Sequence, residues 1–207
     1  METNTNNGTK KLFFAILLDE PARTFAAQTQ ATTRDQFATE SMRAYRWVSP
    51  ADMHLTLFYL GDQSVDDIPT IITCAQRIAA ANSAFTAKFH GLGRFPYRGQ
   101  ARVLWLGGID PLDLHMRGLA QQLREGLKEF ATDEKVFTPH ITLAYVRPSA
   151  DKQELSTVMA HSQDDPRIAT PHMMMVRQFT LMESIPDGNM RDAAESRYTL
   201  VHSFLLQ

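Results

Sequence analysis

The chain has 207 residues and a mass of 23.4 kDa, enough for one medium domain or two small lobes sharing a core. Hydrophobic residues make up 43% and charged residues 21%, which excludes disorder over the whole length. A net charge of −2 excludes a broad basic face that grips duplex by many phosphates, but not a small anion site built from a few placed donors.

The polar stretch over residues 1–10 reads as a flexible tail, followed by a single bilobal domain over 11–207. Leu12 to Leu18 (LFFAILL) is a buried strand, stopped by Asp19-Glu20-Pro21, which opens a helix running to about Met42. Arg46-Trp47-Val48 is a short extended piece ended by Ser49-Pro50. Residues 53–60 (MHLTLFYL) are a strand closed by Gly61-Asp62. A helix beginning near Asp66 or Asp67 carries Ile71, Ile72, Ala75, Ile78 and Ala79 at helical spacing. Cys74 falls within it, and its apolar setting reads as a buried position. Phe85 to Leu92 is a strand, and the loop GLGRFPYRGQAR follows, in which Gly91 and Gly93 serve turn geometry. Val103 to Leu106 is a strand. Asp110-Pro111 opens a helix carrying Leu112, Met116, Leu119, Leu123 and Leu127. Residues 140–146 (HITLAYV) are a strand, 151–160 a weaker helix, and 173–183 and 197–206 the last strands.

The chain repeats itself. A buried strand, an acidic-Pro helix start, a long helix, Ser-Pro and HLTL in the first half match VLWLGG, Asp-Pro, a long helix, Thr-Pro and HITL in the second. Asp19 to His54 is 35 residues and Asp110 to His140 is 30. Two such strand–helix–strand units pack best as facing lobes, and two copies are too few for a solenoid.

Side chains alternate along a strand, so His54 with Thr56, and His140 with Thr142, each share a face while their leucines and Ile141 enter the core. A pseudo-two-fold would bring the two pairs together across a cleft. Histidine titrates near neutrality, so one neutral imidazole can take a proton from water while the other, protonated, gives one to a leaving oxygen. The threonines can donate to an anion held between them. This set suits phosphodiester hydrolysis without a metal.

With these motifs the sequence resembles the 2H phosphoesterases, and within them the bacterial RNA 2′,3′-cyclic phosphodiesterases, also called 2′–5′ RNA ligases. The resemblance covers residues 11 to 206 through KLFFAILL, RWVSPADMHLTLFYLGD, GLGRFPYRGQARVLWLGG, FTPHITLAYV and VRQFTLMES. It implies an α+β fold: two pseudo-symmetric lobes of antiparallel sheet, helices outside, and the active-site cleft between them. It implies metal-independent opening of a 2′,3′-cyclic phosphate to a 2′-phosphate, with His54 as proton donor, His140 as proton acceptor, and Thr56 and Thr142 binding phosphate. Many relatives carry Arg where this chain has Tyr145. A tyrosine hydroxyl gives one hydrogen bond but neither charge nor a bidentate grip, and Arg147 is a candidate to compensate.

Phe13 or Phe14, Phe58 and Trp105 are candidates to stack on a base, and the loop from Arg94 to Arg102 mixes cations with aromatics as an RNA-backbone site would. The other histidines (His90, His115, His161, His172 and His202) have no repeated setting and read as structural or exposed. No zinc-type His/Glu spacing is present, and Met173-Met174-Met175 reads as strand filler. No cofactor is expected. The expected partners are RNA 3′ ends or nucleoside 2′,3′-cyclic phosphates, with a monomeric state. No apolar run approaches the roughly 20 residues of a membrane span, and the first residues lack a secretory apolar core, so no membrane and a cytoplasmic location are expected. Alternatives are a 2′–5′ phosphodiesterase, an ATP-independent 2′–5′ ligase, and a non-catalytic binder of RNA ends.

Overall fold

A computed structural model describes residues 8–107, 114–131, 137–185 and 196–207. The predicted helix start at Asp110-Pro111 and Leu112 lies outside these residues, as do residues 1–7. Strand β1 (Thr9–Leu17) pairs antiparallel with β3 (His54–Ser64), while β2 (Tyr45–Trp47) lies elsewhere in the sheet. Thr9 and Lys10 pair with Ser64 and Gln63, so the strand reaches back into the segment expected as tail. Leu12 to Ile16 are all buried because this strand is covered on both faces.

Helix α1 (Glu20–Arg34) is capped by the Asp19 carboxylate, which accepts from the Ala22 N–H at 2.9 Å. It ends eight residues before the expected Met42. Beyond it Phe37 turns inward against Tyr45, ring centroids 4.4 Å apart, and a 3₁₀ turn over Thr39–Ala44 leads into β2. Tertiary packing thus overrides a sequence with no helix breaker. Strand β3 does not close at Gly61-Asp62. Gly61 takes φ +77° inside it, where the register slips at Leu60, and pairing continues to Ser64.

Helix α2 (Ile68–Ala80) buries Ile71, Ala75 and Ala79. Cys74 is half-buried rather than buried, its Sγ 3.3 Å from the Gly126 carbonyl. The expected strand over 85–92 is two elements, β4 (Phe85–Phe89) and β5 (Leu92–Phe95), parted at Gly91 with φ +72°. Strand β6 (Val103–Leu106), helix α3 (Leu114–Gly126), strand β7 (Ile141–Val146) and helix α4 (Lys152–Asp164) follow, then a short helix α5 (Pro166–Ala169). The last strands are β8 (His172–Val176), β9 (Gln178–Ser184) and β10 (Tyr198–Leu205). The expected single strand over 173–183 therefore breaks at Arg177 and serves two sheets: β8 pairs with β4, and β9 sits between β10 and β1.

The main sheet runs β10-β9-β1-β3-β7-β6-β5, with β2 on β7. Its halves join at the seam between β3 and β7 through the pair Leu55–Ile141. Each half is an antiparallel lobe, and each His-x-Thr strand lies at the seam. Helix α3 packs on β3 and α1 on β7. The larger core lies beneath the first lobe and includes Leu12, Phe14, Leu55, Phe58 and Ile141. A smaller one beneath the second holds Tyr45, Leu104, Ala144 and Leu155.

Candidate active site

The two histidines are held alike. The Nδ1 of His54 is 2.8 Å from the Asp52 carbonyl, and that of His140 is 2.7 Å from the Thr138 carbonyl. A carbonyl only accepts, so each Nδ1 carries the hydrogen and each Nε2 is left for chemistry. Each ring also has an aromatic backing. Phe13 and Tyr198 stand 5.1 and 4.8 Å from His54, and Phe95 and Trp105 stand 4.9 and 6.1 Å from His140. Burial lowers both histidines below their ordinary range. The Asp52 carbonyl and carboxylate oppose this at His54, the imidazole of His140 adds to it, and the Thr138 carbonyl opposes it at His140.

The strands do more than alternate. Opposite β1 the register slips at Leu57, between the pairs Phe14–Phe58 and Ala15–Thr56. Opposite β6 it slips at Leu143, between Leu104–Ala144 and Trp105–Thr142. Each slip falls three residues after the histidine and flips the side chains that follow it, in β3 as far as the second slip at Leu60. Tyr59 and Tyr145, five residues after their histidines, thereby join the site face with Thr56 and Thr142. Phe58, which strict alternation would place beside Thr56, turns into the core at 4% exposed. It does not line the cavity. Buried glutamines hold slipped segments in both strands. Gln30 Nε2 donates to the Val48 and Leu143 carbonyls at 2.8 Å, and Gln63 Nε2 to the Leu60 and Phe130 carbonyls at 2.7 and 2.9 Å.

A cavity of about 220 Å³ opens at the seam, lined by His54, Thr56, Thr142 and Tyr145 together with Lys11, Phe13, Val48, Asp52, Tyr59, Ser184 and Tyr198. His140 stands beside this wall rather than in it. The antiparallel crossing at Leu55–Ile141 puts it on the Thr56 side and puts His54 on the Thr142 side. Phe13 lines the cavity but is 3% exposed, its ring covered by His54 and Tyr198. Phe14 and Trp105 are buried as well. The Trp105 indole fills the space over Gly93 and Gly107, so Gly93, unlike Gly91, is small for packing and not for a turn.

Six wall residues were not among the candidates from the sequence: Lys11, Val48, Asp52, Tyr59, Ser184 and Tyr198. Asp52 is buried, its Oδ1 accepting from Ser196 Oγ at 2.7 Å and the Arg197 N–H at 3.1 Å. Tyr198 is pushed up to about 12, first by burial and then by Tyr145 and Asp52, so it is a neutral donor at physiological pH. Tyr59 had a signal, since the repeat extends to H-x-T-x-x-Y in both copies. Tyr198 had none, because it arrives through long-range pairing.

Arg147 does not line the cavity; its N–H serves the Ala44 carbonyl. The guanidinium that accompanies Tyr145 belongs to Arg46, its cross-strand partner, 4.3 Å over the ring. In the 94–102 loop, Arg94 donates to the Gly99 carbonyl at 2.8 Å, and Tyr97 stands edge-on to Phe95 at 5.4 Å. None of the other five histidines lines the cavity. Among the described residues no group of three or more His, Cys, Asp or Glu side chains is placed to hold a metal ion, and no helix is long and apolar enough to cross a membrane.

Two His-x-Thr strands meeting at the seam of a two-lobed antiparallel sheet define the 2H phosphoesterase class. The chain belongs to the 2′-5′ RNA ligase superfamily, whose family model matches residues 23–186. It is 32% identical over 142 residues to the RNA 2′,3′-cyclic phosphodiesterase of Thermus thermophilus, covering 65% of this chain and 67% of that one. It is 37% identical over 110 residues to the Thermotoga maritima protein of the same name, covering 52% of this chain and 57% of that one. The Escherichia coli LigT structure complexed with 3′-AMP superposes with a TM-score of 0.71 at 25% identity, covering 96% of this chain and 99% of that one.

Proposed function

We propose that the protein is an RNA 2′,3′-cyclic phosphodiesterase that opens a terminal cyclic phosphate to a 2′-phosphate using two histidines and no metal. The observation that carries this is the matched pair of imidazoles, each with Nδ1 bound to the carbonyl two residues upstream and Nε2 without a hydrogen-bond partner among the described residues. The relatives' names supply the substrate class.

Thr56 and Thr142 donate to the non-bridging phosphate oxygens, and the Tyr145 hydroxyl adds one bond with the Arg46 charge behind it. His140 Nε2 takes a proton from water as its oxygen attacks phosphorus. The bond from phosphorus to O3′ breaks, and His54 Nε2–H delivers a proton to that oxygen. The product carries a 2′-phosphate and a free 3′-hydroxyl, and the two histidines exchange protonation states.

One asymmetry between the repeats supports this division of roles. Two residues before His54 stands the Asp52 carboxylate; two before His140 stands Thr138. Burial lowers His54, and the negative charge of Asp52 opposes that lowering, an aid to the imidazolium that His140 lacks. Because burial lowers both groups, kcat/KM against pH is a bell with both limbs displaced to the acid side of ordinary histidine, its apparent values belonging to the pair. A flat profile from about pH 5 to about pH 9 would refute the pairing.

A further inference from the structure

We infer that the cavity contains a second subsite, formed by Lys11, Tyr59 and Ser184, for the nucleotide preceding the cyclic end, so that the preferred substrate is an oligoribonucleotide rather than a free cyclic mononucleotide. This rests on the reaction proposed above for the His–Thr centre.

The cyclic phosphate needs only the seam: the two imidazoles and two threonines. The cavity continues past them along the first lobe. Lys11 and Phe13 share a face of β1, and the pairing of Leu12 with Glu183 sets Lys11 next to Ser184, which itself pairs with Tyr198. Tyr59 faces Phe13 across β3 and reaches the same wall because of the slip at Leu57. It is 38% exposed, against 3% for Phe13, so its ring has a face to offer.

Charge supports the assignment. Lys11 is the one Lys or Arg in the described cavity wall. Its neighbour Lys10 is paired with Glu183 at 2.6 Å, whereas Lys11 has no ion pair among the described residues. An ammonium is a point charge suited to one phosphodiester, a phenol ring is a stacking surface for any base, and a serine hydroxyl donates to phosphate or ribose. A cyclic mononucleotide has a single phosphate, held at the seam, and brings no second phosphate to Lys11, which faces Asp62 across β3 without an ion pair among the described residues. An oligonucleotide supplies the next phosphodiester and the next base together.

The test compares a nucleoside 2′,3′-cyclic phosphate with an RNA trimer ending in the same group. For wild type, kcat/KM favours the trimer. In Lys11→Ala and Tyr59→Ala the trimer-to-mononucleotide ratio falls by about fivefold or more, through KM rather than kcat. The salt slope of trimer kcat/KM is shallower by about 0.7 in Lys11→Ala. Lys152→Ala, on the exposed face of α4, keeps the wild-type ratio. Equal turnover of both substrates by wild type, or variants that lower both substrates alike, would overturn the subsite. Titration with the matching trimer and mononucleotide 2′-phosphates separates this failure from failure of the reaction. Tighter trimer binding that Lys11→Ala abolishes, in a protein that turns over neither substrate, would overturn the reaction alone.

Discussion

Gln30 is the residue on which the Tyr145 half of the site is predicted to depend, though it does not itself line the cavity. Its side-chain amide leaves α1 and donates to two carbonyls at 2.8 Å, those of Val48 and of Leu143, at the point where β7 slips register. The residue is 7% exposed, so water is poorly placed to substitute. In Gln30→Leu the Leu143 carbonyl keeps the Val48 N–H at 2.9 Å, but the Val48 carbonyl loses its donor. An orphaned buried acceptor costs about 1–3 kcal/mol and a lost second bond about 1 kcal/mol, so the variant should lose about 2–4 kcal/mol. Urea unfolding reads this as a midpoint lower by about 1 M with an unchanged slope. Relaxation of the slip also turns Tyr145 from the cavity, so KM rises more than kcat falls. A stability change within about 0.5 kcal/mol would refute the reasoning and mean that solvent serves those carbonyls.

A Cβ on Gly93 would overlap the Trp105 indole that backs His140, so Gly93→Ala should lose about 1–3 kcal/mol and lower kcat, with Trp105→Phe in the same chain restoring part of both; unchanged activity in the single variant would count against this backing. In Asp52→Asn the carbonyl that holds His54 and an acceptor for Ser196 remain while the charge goes, so the alkaline limb of kcat/KM should move to lower pH; an unmoved limb would remove Asp52 from the assignment of roles. Burial lowers the imidazoles of His54 and His140, so the unfolded chain binds more protons once the pH falls below the ordinary histidine value, and native stability is lost from there down to the folded values. The double variant His54→Gln, His140→Gln should therefore lose less stability between about pH 8 and about pH 5 than wild type, as thermal melts would show.

The centre of the site was legible because its information is local and duplicated. H-x-T in a strand sets two side chains on one face, and a second copy after a second helix implies a second lobe. What was not legible depends on register. The slips at Leu57 and Leu143 leave no mark in a period-2 pattern, which is why Phe58 reads as facing the cleft and Tyr59 does not. Gly61 reads as a strand end because a glycine that supplies positive φ to a slip looks the same as one that supplies it to a turn. Arg177 carries no breaker signal, yet the chain passes there from one sheet to another. Arg46 and Tyr198 reach the site by cross-strand pairing over long sequence distances, so neither could be placed without the fold.

The most direct measurement is a ³¹P spectrum of a nucleoside 2′,3′-cyclic phosphate incubated in EDTA with wild type, His54→Ala and His140→Ala, each checked for folding. Wild type should convert the cyclic resonance to that of the 2′-phosphate, and both variants should leave it standing. A 3′-phosphate product, loss of wild-type turnover in the chelator, or undiminished conversion by either variant would contradict the proposed reaction.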